Sequence, residues 1–277
     1  MTALRWGAHA HTDDPVAEAS ALGANQVQIM LGDPKSWRGP QLDYPGGPTA
    51  LRQAAAQAGL TIWVHAAYLI NVASTNNSVR VPSRKLLQRT VDLAARLGAA
   101  GVVVHGGHVS AADAPEQGQA NWRKCLDRLD LALPLLIENT AGGRNAMART
   151  PDRLAGLWQA LADSPQRDRL GFCLDTCHAH AAGFDLAQAV DRLRAITGRI
   201  DLVHANDSRD QSGSGADRHA NLGQGQCDPA GLAQVLRQAD APIILETPGG
   251  LAEHQRERAW IEQCLLVDQP DPPGALD

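Results

Sequence analysis

An α/β chain whose eight parallel strands close into a barrel is the fold class this sequence predicts, on three observations. Eight short apolar runs recur along its 277 residues, rich in Val, Ile and Leu and too short for helices, as suits strands buried on both faces of a parallel sheet. The segments between them place apolar residues at three- and four-residue intervals among charges, the pattern of amphipathic helices. Most of the runs lead directly into a His, Asp or Glu, and in a TIM (β/α)8 barrel functional groups gather at the carboxyl ends of the strands.

In chain order the runs cover 4–8 before His9, 27–31, 62–64 before His65, 102–104 before His105, 135–137 before Glu138, 172–174 before Asp175, 202–203 before His204 and 243–245 before Glu246. Helices are expected over 48–58, 83–97, 119–133, 150–162, 186–197, 229–239 and 253–266. Gly59, Gly98 and Gly198 follow three of these where helices tend to end. With 44% hydrophobic residues and no low-complexity linker, residues 1–267 are expected to form one barrel domain. Residues 268–277, with Pro270, Pro272 and Pro273, are expected to be an irregular tail.

The chain begins Met1, Thr2, Ala3, Leu4, Arg5 without the apolar stretch of a signal peptide, and no run approaches the roughly 18 residues of a membrane helix. A cytoplasmic protein is expected. Its five cysteines form no CxxC pair, and an odd count in a leaderless chain argues for reduced thiols. Cys177 beside His178 could be read as a nucleophile, but free cysteine is usually a small buried hydrophobe. No exposed apolar helix stands out as a dimer surface, so a monomer with no obligate protein partner is expected.

A lone His at a strand end is usually a satisfied polar residue. His65, His105 and His204 end three different strands of one barrel, and Glu138, Asp175 and Glu246 end three more. Six such groups converging without a cation would crowd like charges together, and a bound metal resolves that conflict. His and carboxylate are the ligands that suit zinc and similar divalent ions. Asp175 and His178 lie three apart, and Asp217 and His219 lie two apart, a spacing that in extended backbone puts both side chains on one side. Nine donors exceed what one tetrahedral zinc can use, so at least two metals are expected, and three fit best.

The segments around these nine positions resemble the endonuclease IV family of apurinic/apyrimidinic endonucleases. They are HAAYLINVAS at His65, VVVHGG at His105, ENTAGG at Glu138, CLDTCHAHAAG at Asp175, DLVHANDS at His204, DRHANLGQG at Asp217 and ILETP at Glu246, spread over residues 7–248. The resemblance implies three Zn2+ ions, with Mn2+ or Fe2+ as possible substitutes. By it, His65, His105 and Glu138 would hold one ion. Glu138 would bridge to a second held also by Asp175, His204 and Glu246, and His178, Asp217 and His219 would hold the third. It implies hydrolysis of the phosphodiester 5′ to an abasic site in duplex DNA, leaving 3′-OH and 5′-deoxyribose phosphate ends, with cleaning of blocked 3′ ends. Glu138 is the residue on which turnover should depend most.

The family also places DNA contacts on the strand-to-helix loops. Here those loops offer Lys35, Trp37, Arg38, Tyr68 and Arg218, with Asn71, Arg80, Arg144, Arg149 and Arg209 as further polar groups. Tyr68, three residues after His65, could pack on an extruded sugar or a neighbouring base, or simply under a loop. A net charge of −5 and a pI near 6.0 lack the overall basic balance of many nucleic-acid binders, so the 25 Lys and Arg would need to concentrate on the catalytic face.

Two departures from the commoner family pattern affect loops and no ligand. Gly106, Gly107 and His108 follow His105 where Pro-Gly-Ser is more usual, and Ala67 replaces a proline before Tyr68. His108 reads as a solvated loop residue, and Asp33 close to Lys35 could weaken attraction to phosphate. His9 is read either as lying behind the ligands or toward substrate, or as a structural residue, His180 as lying near the third metal, and His254 as on an outer helix facing water.

The alternative is a xylose-isomerase-like sugar isomerase or epimerase, which this chain resembles in its barrel and in Glu138 and Glu246. It would hold one or two metals and leave His178, Asp217 and His219 unexplained. A non-catalytic damage sensor or zinc store is the weaker alternative, because degeneration usually loses ligands.

Overall fold

The structure is a computed structural model, and it describes residues 4–266; the expected tail at 268–277 lies outside the described residues. Eight parallel strands form a closed barrel: β1 (Trp6–Ala10), β2 (Gln26–Met30), β3 (Thr61–His65), β4 (Gly101–His105), β5 (Leu135–Glu138), β6 (Leu170–Asp175), β7 (Leu202–His204) and, closing onto β1, β10 (Ile243–Leu245). A two-stranded antiparallel hairpin, β8 (Asp207–Ser208) with β9 (His219–Ala220), is inserted after β7.

Around the barrel lie α1 (Pro15–Leu22), α2 (Gly47–Gln57), α3 (Asn77–Leu97), α4 (Pro115–Leu126), α5 (Pro151–Leu161), α6 (Thr176–Ala182), α7 (Leu186–Thr197), α8 (Pro229–Ala239) and α9 (Leu251–Leu266). Their starts are chemically marked. Asp14, Asn76, Thr150, Asp185 and Asp228 each accept a backbone N–H in the first turn of the helix that follows. The main core lies between strands and helices, where Trp6, Trp122, Trp260, Phe172 and Leu135 are fully buried.

The barrel interior is a second, smaller core made of Trp63, Val103, Leu136, Cys173, Leu202 and Ile244. Side chains of a strand alternate between its two faces, so the residue two further on points into the same lumen, one layer higher. Those residues are His65, His105, Glu138, Asp175, His204 and Glu246. Six strands thus each supply one floor residue and one polar group above it. Register sets His105 level with Glu138 and Asp175 level with His204, while between β3 and β4, β5 and β6, and β7 and β10 it is staggered, as with His65 opposite Val103 and Glu138 opposite Cys173.

The expected helices over 186–197 and 229–239 are found as α7 and α8, while other boundaries differ. The helix expected over 83–97 begins at Asn77 and carries Pro82 inside it. The helix expected over 119–133 runs from Pro115 to Leu126. Beyond it Leu129, Leu131 and Leu133 are buried at every second residue with exposed neighbours, an extended pattern that the helical reading absorbed. His9 lies within β1 and not after it, and α1, α6 and the hairpin were not anticipated.

Candidate metal centre

Glu138 sits at the centre of the barrel mouth, fully buried at the end of β5. Its Oε2 lies 3.1 Å from His65 Nε2 and 3.2 Å from His105 Nε2. Its Oε1 lies 3.1 Å from His204 Nδ1 and 3.3 Å from His178 Nδ1. One carboxylate therefore presents one oxygen to the β3–β4 side and the other to the β6–β7 side. His204 Nδ1 is also 3.3 Å from Glu246 Oε2.

A third cluster forms away from the strand ends. Asp175 caps α6 by accepting the His178 N–H at 2.6 Å, which turns the His178 ring toward the hairpin loop. His178 Nε2 is 3.0 Å from Asp217 Oδ1, and His219 Nε2 is 3.2 Å from the same atom. The Asp207 carboxylate holds that loop from below, accepting N–H groups of Ser208, Gly223, Gly225 and Cys227 at 2.7–3.1 Å.

Donor atoms close enough to share one ion form the sets His65, His105 and Glu138; Glu138, Asp175, His204 and Glu246; and His178, Asp217 and His219. The three sets expected by resemblance are among the groups brought together, with Glu138 common to two of them, and His65, His204 and Glu246 form another that spans the first two. Cys177 approaches Asp175 and His219 in a further grouping, but burial pushes its thiol up to about 12, away from the thiolate that a ligand or nucleophile needs. The other four cysteines are free and buried as well.

Ring orientation is set by hydrogen bonds on the far side of each imidazole. His65 Nδ1 lies 2.7 Å from the Ala66 carbonyl, His178 Nδ1 2.9 Å from that of Asn139, and His219 Nδ1 3.2 Å from that of Glu246. A carbonyl only accepts, so in the neutral rings these nitrogens carry the hydrogen and the Nε2 lone pairs face the centre.

Imidazoles and carboxylates at the centre shift one another against the effect of burial. Burial alone would raise the Glu138 carboxyl, yet His105 and His204 hold it well below the usual range. Burial raises Asp175 despite His178 and His219. His178 and His204 are raised well above the ordinary imidazole value against the opposing effect of burial, His178 chiefly by Asp175 and His204 by Cys173 and Glu246. The donor set fits divalent metal on a geometric observation. His178 Nε2 and His219 Nε2 are buried and make no hydrogen bond of acceptable geometry, although each approaches Asp217 within about 3.2 Å. Close approach with poor alignment is the arrangement of donors aimed at a shared third point.

The residues offered for DNA separate into three groups. Lys35, Trp37 and Arg38 line one concave surface on the β2–α2 loop, all exposed. Asp33 there accepts the Lys35 backbone N–H at 2.9 Å, capping the turn. Tyr68 is half exposed, stacks on His105 with ring centroids 5.9 Å apart, and borders a cavity of about 480 Å³ that also reaches Asn71, His108, His178 and Asp217. Ala67 accepts the Ile70 N–H at 3.0 Å, closing the turn that presents Tyr68. Arg218 is paired with Asp210, Arg209 Nε donates to the His219 carbonyl, and Arg80 donates to the Ser74 carbonyl, so these three brace loops.

His108 is exposed as expected, while its backbone is gripped by Asn71, which donates to its carbonyl at 2.9 Å and accepts its N–H at 3.1 Å. Gly106 has a structural reason: a Cβ there would stand 2.6 Å from Ala148 Cβ, and its N–H donates to the Glu138 carbonyl at 3.2 Å. His180 Nε2 meets the Asp210 carbonyl at 3.0 Å, bracing the loop of the third cluster. His254 is partly buried, 3.4 Å from the Thr247 carbonyl, where full exposure was expected.

Sequence reasoning passed over three buried amides. Asn139 and Asp175 exchange two hydrogen bonds, Asn139 Nδ2 to the Asp175 carbonyl at 2.9 Å and Asp175 N–H to Asn139 Oδ1 at 2.8 Å. Asn206 donates to Asp175 Oδ2 at 2.7 Å and accepts the Glu246 N–H at 2.9 Å. Gln28 contacts His204 and Glu246. A signal for the asparagines was present, since Asn139 follows Glu138 directly and Asn206 stands two after His204.

Comparison with known proteins follows the same lines. A family model for the xylose isomerase-like TIM barrel matches residues 16–264. A probable endonuclease 4 of Mycobacterium ulcerans (strain Agy99) is 56% identical over 241 residues, covering 87% of this chain and 92% of the relative. The crystal structure of endonuclease IV from Thermus thermophilus superposes with a TM-score of 0.81 at 34% identity, over 94% of this chain and 98% of that one. A D-tagatose 3-epimerase-like protein, at 20% identity and a TM-score of 0.75 over 95% of this chain and 97% of its own, shares the fold.

Proposed function

The chain belongs to the endonuclease IV family, and on that premise we propose that it hydrolyses the phosphodiester 5′ to an abasic site in duplex DNA, using three zinc ions. The observation that carries this reading is the set of nine donors in three groups, with Glu138 shared between two. His65, His105 and Glu138 would hold one ion, Glu138, Asp175, His204 and Glu246 a second, and His178, Asp217 and His219 the third. Mn2+ or Fe2+ could take the same oxygen and nitrogen donors. A sugar isomerase would leave the third group without a task.

When bound, zinc supplies Lewis acidity toward phosphate oxygens and makes water acidic enough to attack near neutral pH. The chain's own work is preorganisation. The carbonyls of Ala66, Asn139 and Glu246 hold three imidazoles in one orientation, so no reorganisation is needed as charge develops. Glu138, gripped through its carbonyl by Gly106, ties the first two groups at a fixed spacing. Tyr68, open on one face and packed on His105 by the other, would cover the extruded sugar. Lys35, Trp37 and Arg38 would meet the flanking duplex, joined by Arg218, which stays exposed while paired with Asp210. In the hydrolysis, water oxygen bonds to phosphorus, the bond from phosphorus to the upstream 3′ oxygen breaks, and that oxygen takes up a proton. The products are a 3′-OH and a 5′-deoxyribose phosphate, and the same chemistry would clear blocked 3′ ends.

No helix among the described residues is long and apolar enough to cross a membrane. We place the protein in the cytoplasm, acting as one barrel domain over residues 1–267 without an obligate protein partner. The test is an end-labelled duplex carrying one abasic-site analogue beside an intact control. A single cut immediately 5′ of the lesion, leaving an end that a polymerase extends, is the expected result. No cut by protein carrying its full complement of metal would refute the reading.

A further inference from the structure

Gln28 interrupts the apolar run of β2 with a full amide inside the barrel, where it is completely buried. It stands in register with His9 on β1 and with the floor residue Trp63 on β3, so its side chain enters the lumen beneath the metal-ligand candidates. Its Nε2 lies 2.6 Å from Glu246 Oε1, and its Oε1 lies 2.8 Å from His204 Nε2. An ionised carboxylate only accepts, so the NH2 of the amide must face Glu246 and its carbonyl oxygen must face the imidazole. That oxygen likewise only accepts, so His204 must carry a hydrogen on Nε2. Its Nδ1 is left to face Glu138 Oε1 at 3.1 Å and Glu246 Oε2 at 3.3 Å.

We propose that Gln28 is a positioning residue for the group formed by Glu138, Asp175, His204 and Glu246, fixing His204 as its Nε2–H tautomer and dividing the two oxygens of Glu246. One oxygen is held by the amide and the other is turned toward His204 Nδ1. The second amide hydrogen has His9 Nδ1 as its neighbour at 3.4 Å. The other oriented imidazoles, those of His65, His178 and His219, lean on backbone carbonyls that no substitution removes. His204 alone among these four depends on a side chain, which makes its orientation accessible to mutation. The proposal rests on the metal-binding reading given above.

Two variants and one spectrum test it. Gln28→Met keeps side-chain length and loses both hydrogen bonds, while Gln28→Glu keeps an acceptor for His204 but sets a second carboxylate against Glu246. Long-range 1H–15N correlation of the zinc-loaded wild type should show the His204 hydrogen on Nε2 and the metal shift on Nδ1. Competition with a chelator of known affinity should show Gln28→Met weakening one zinc equivalent by about 10–100-fold, the usual cost of losing a hydrogen bond that orients a ligand. The signals of His178 and His219 should stay in place. Gln28→Glu should keep the tautomer and still lose affinity.

A His204 hydrogen on Nδ1 in the wild type, or undiminished affinity in Gln28→Met, would overturn the proposal. Should Gln28→Met fail to fold, the wild-type tautomer and Gln28→Glu decide it alone. Wild-type protein that takes up no zinc would overturn this proposal and the functional reading together. Zinc uptake with the other tautomer would overturn only the role of Gln28.

Discussion

Glu138 Oε1 stands 3.1 Å from His204 Nδ1 although the two residues end β5 and β7, strands separated by β6. The contact passes over β6 inside the mouth, and it exists because both residues rise one layer above a shared apolar floor. With its other oxygen turned to His65 and His105, Glu138 contacts both halves of the mouth, which also meet where His65 stacks on His204 at 5.8 Å. Its removal should therefore be felt on both sides at once.

Glu138→Gln keeps the shape and removes the charge. Turnover should fall by at least about 10²-fold, since loss of a ligand should cost no less than loss of a group that merely orients one. The far-UV circular dichroism should match wild type. A variant with most of its activity and full metal content would contradict the role.

The floor beneath the site is a stability element. Leu136→Ala opens a cavity in a fully buried layer and should cost about 2–5 kcal/mol in urea denaturation. A cost below about 1 kcal/mol would mean that the lumen collapses freely around the deletion.

Much of this was legible in the sequence because a barrel strand has period two and ends at a mouth. A polar residue that terminates an apolar run in such a strand has one place to go, which is why His65, His105, Glu138, Asp175, His204 and Glu246 could be read as a group. His178, Asp217 and His219 were legible by spacing and by family resemblance, while the α6 cap and the hairpin that deliver them were not. Gln28 and Asn206 were illegible for another reason. An amide in a strand reads as a break in a run, and its worth depends on partners 176 and 40 residues away in sequence. The α1 helix was missed because its alanine-rich sequence segregates little by polarity. The start of α3 was missed because Pro82 reads as a stop.

Restoring the commoner family residue after His105 should be harmful in this chain. Gly106→Pro would press a Cβ against Ala148 and remove the N–H that holds the Glu138 carbonyl. A loss of about 1–3 kcal/mol is expected from thermal unfolding. Adding Ala148→Gly should recover part of it by relieving the clash. Equal stability of Gly106→Pro and wild type would refute this account of the departure.

The metal-free protein should have a stability maximum that falls away on both sides. His219 is opposed by burial but raised to about 9, mainly by Asp217 and Asp175. A folded value above the unfolded one of about 6.5 gives stability that is full below that pH and lost as pH rises toward 9. Glu246 would be raised by burial, but His204 and His65 bring it down to about 2, giving stability that is lost as pH falls from about 4.5. Chemical denaturation of chelator-stripped protein across pH 3–9 measures both limbs; a flat alkaline limb would contradict the pairing of His219.

Affinity for an abasic duplex should fall steeply with salt despite the net charge of −5, because phosphate contacts release counterions whatever the charge of the rest of the surface. Tyr68→Ala should weaken binding or turnover more than Tyr68→Phe, since packing and not the hydroxyl is what the exposed ring offers. Fluorescence anisotropy between about 50 and 200 mM salt reads the first effect and steady-state cleavage the second. A binding constant indifferent to salt would count against DNA as the partner.

The most direct measurement is reconstitution. Protein stripped by a strong chelator is titrated with zinc while cleavage of the abasic duplex and bound metal are read together. The account predicts no cleavage without metal, recovery as zinc is taken up, and a plateau near three equivalents per chain, matching the three donor groups. Undiminished cleavage by the stripped protein, or a plateau at one equivalent, would contradict it.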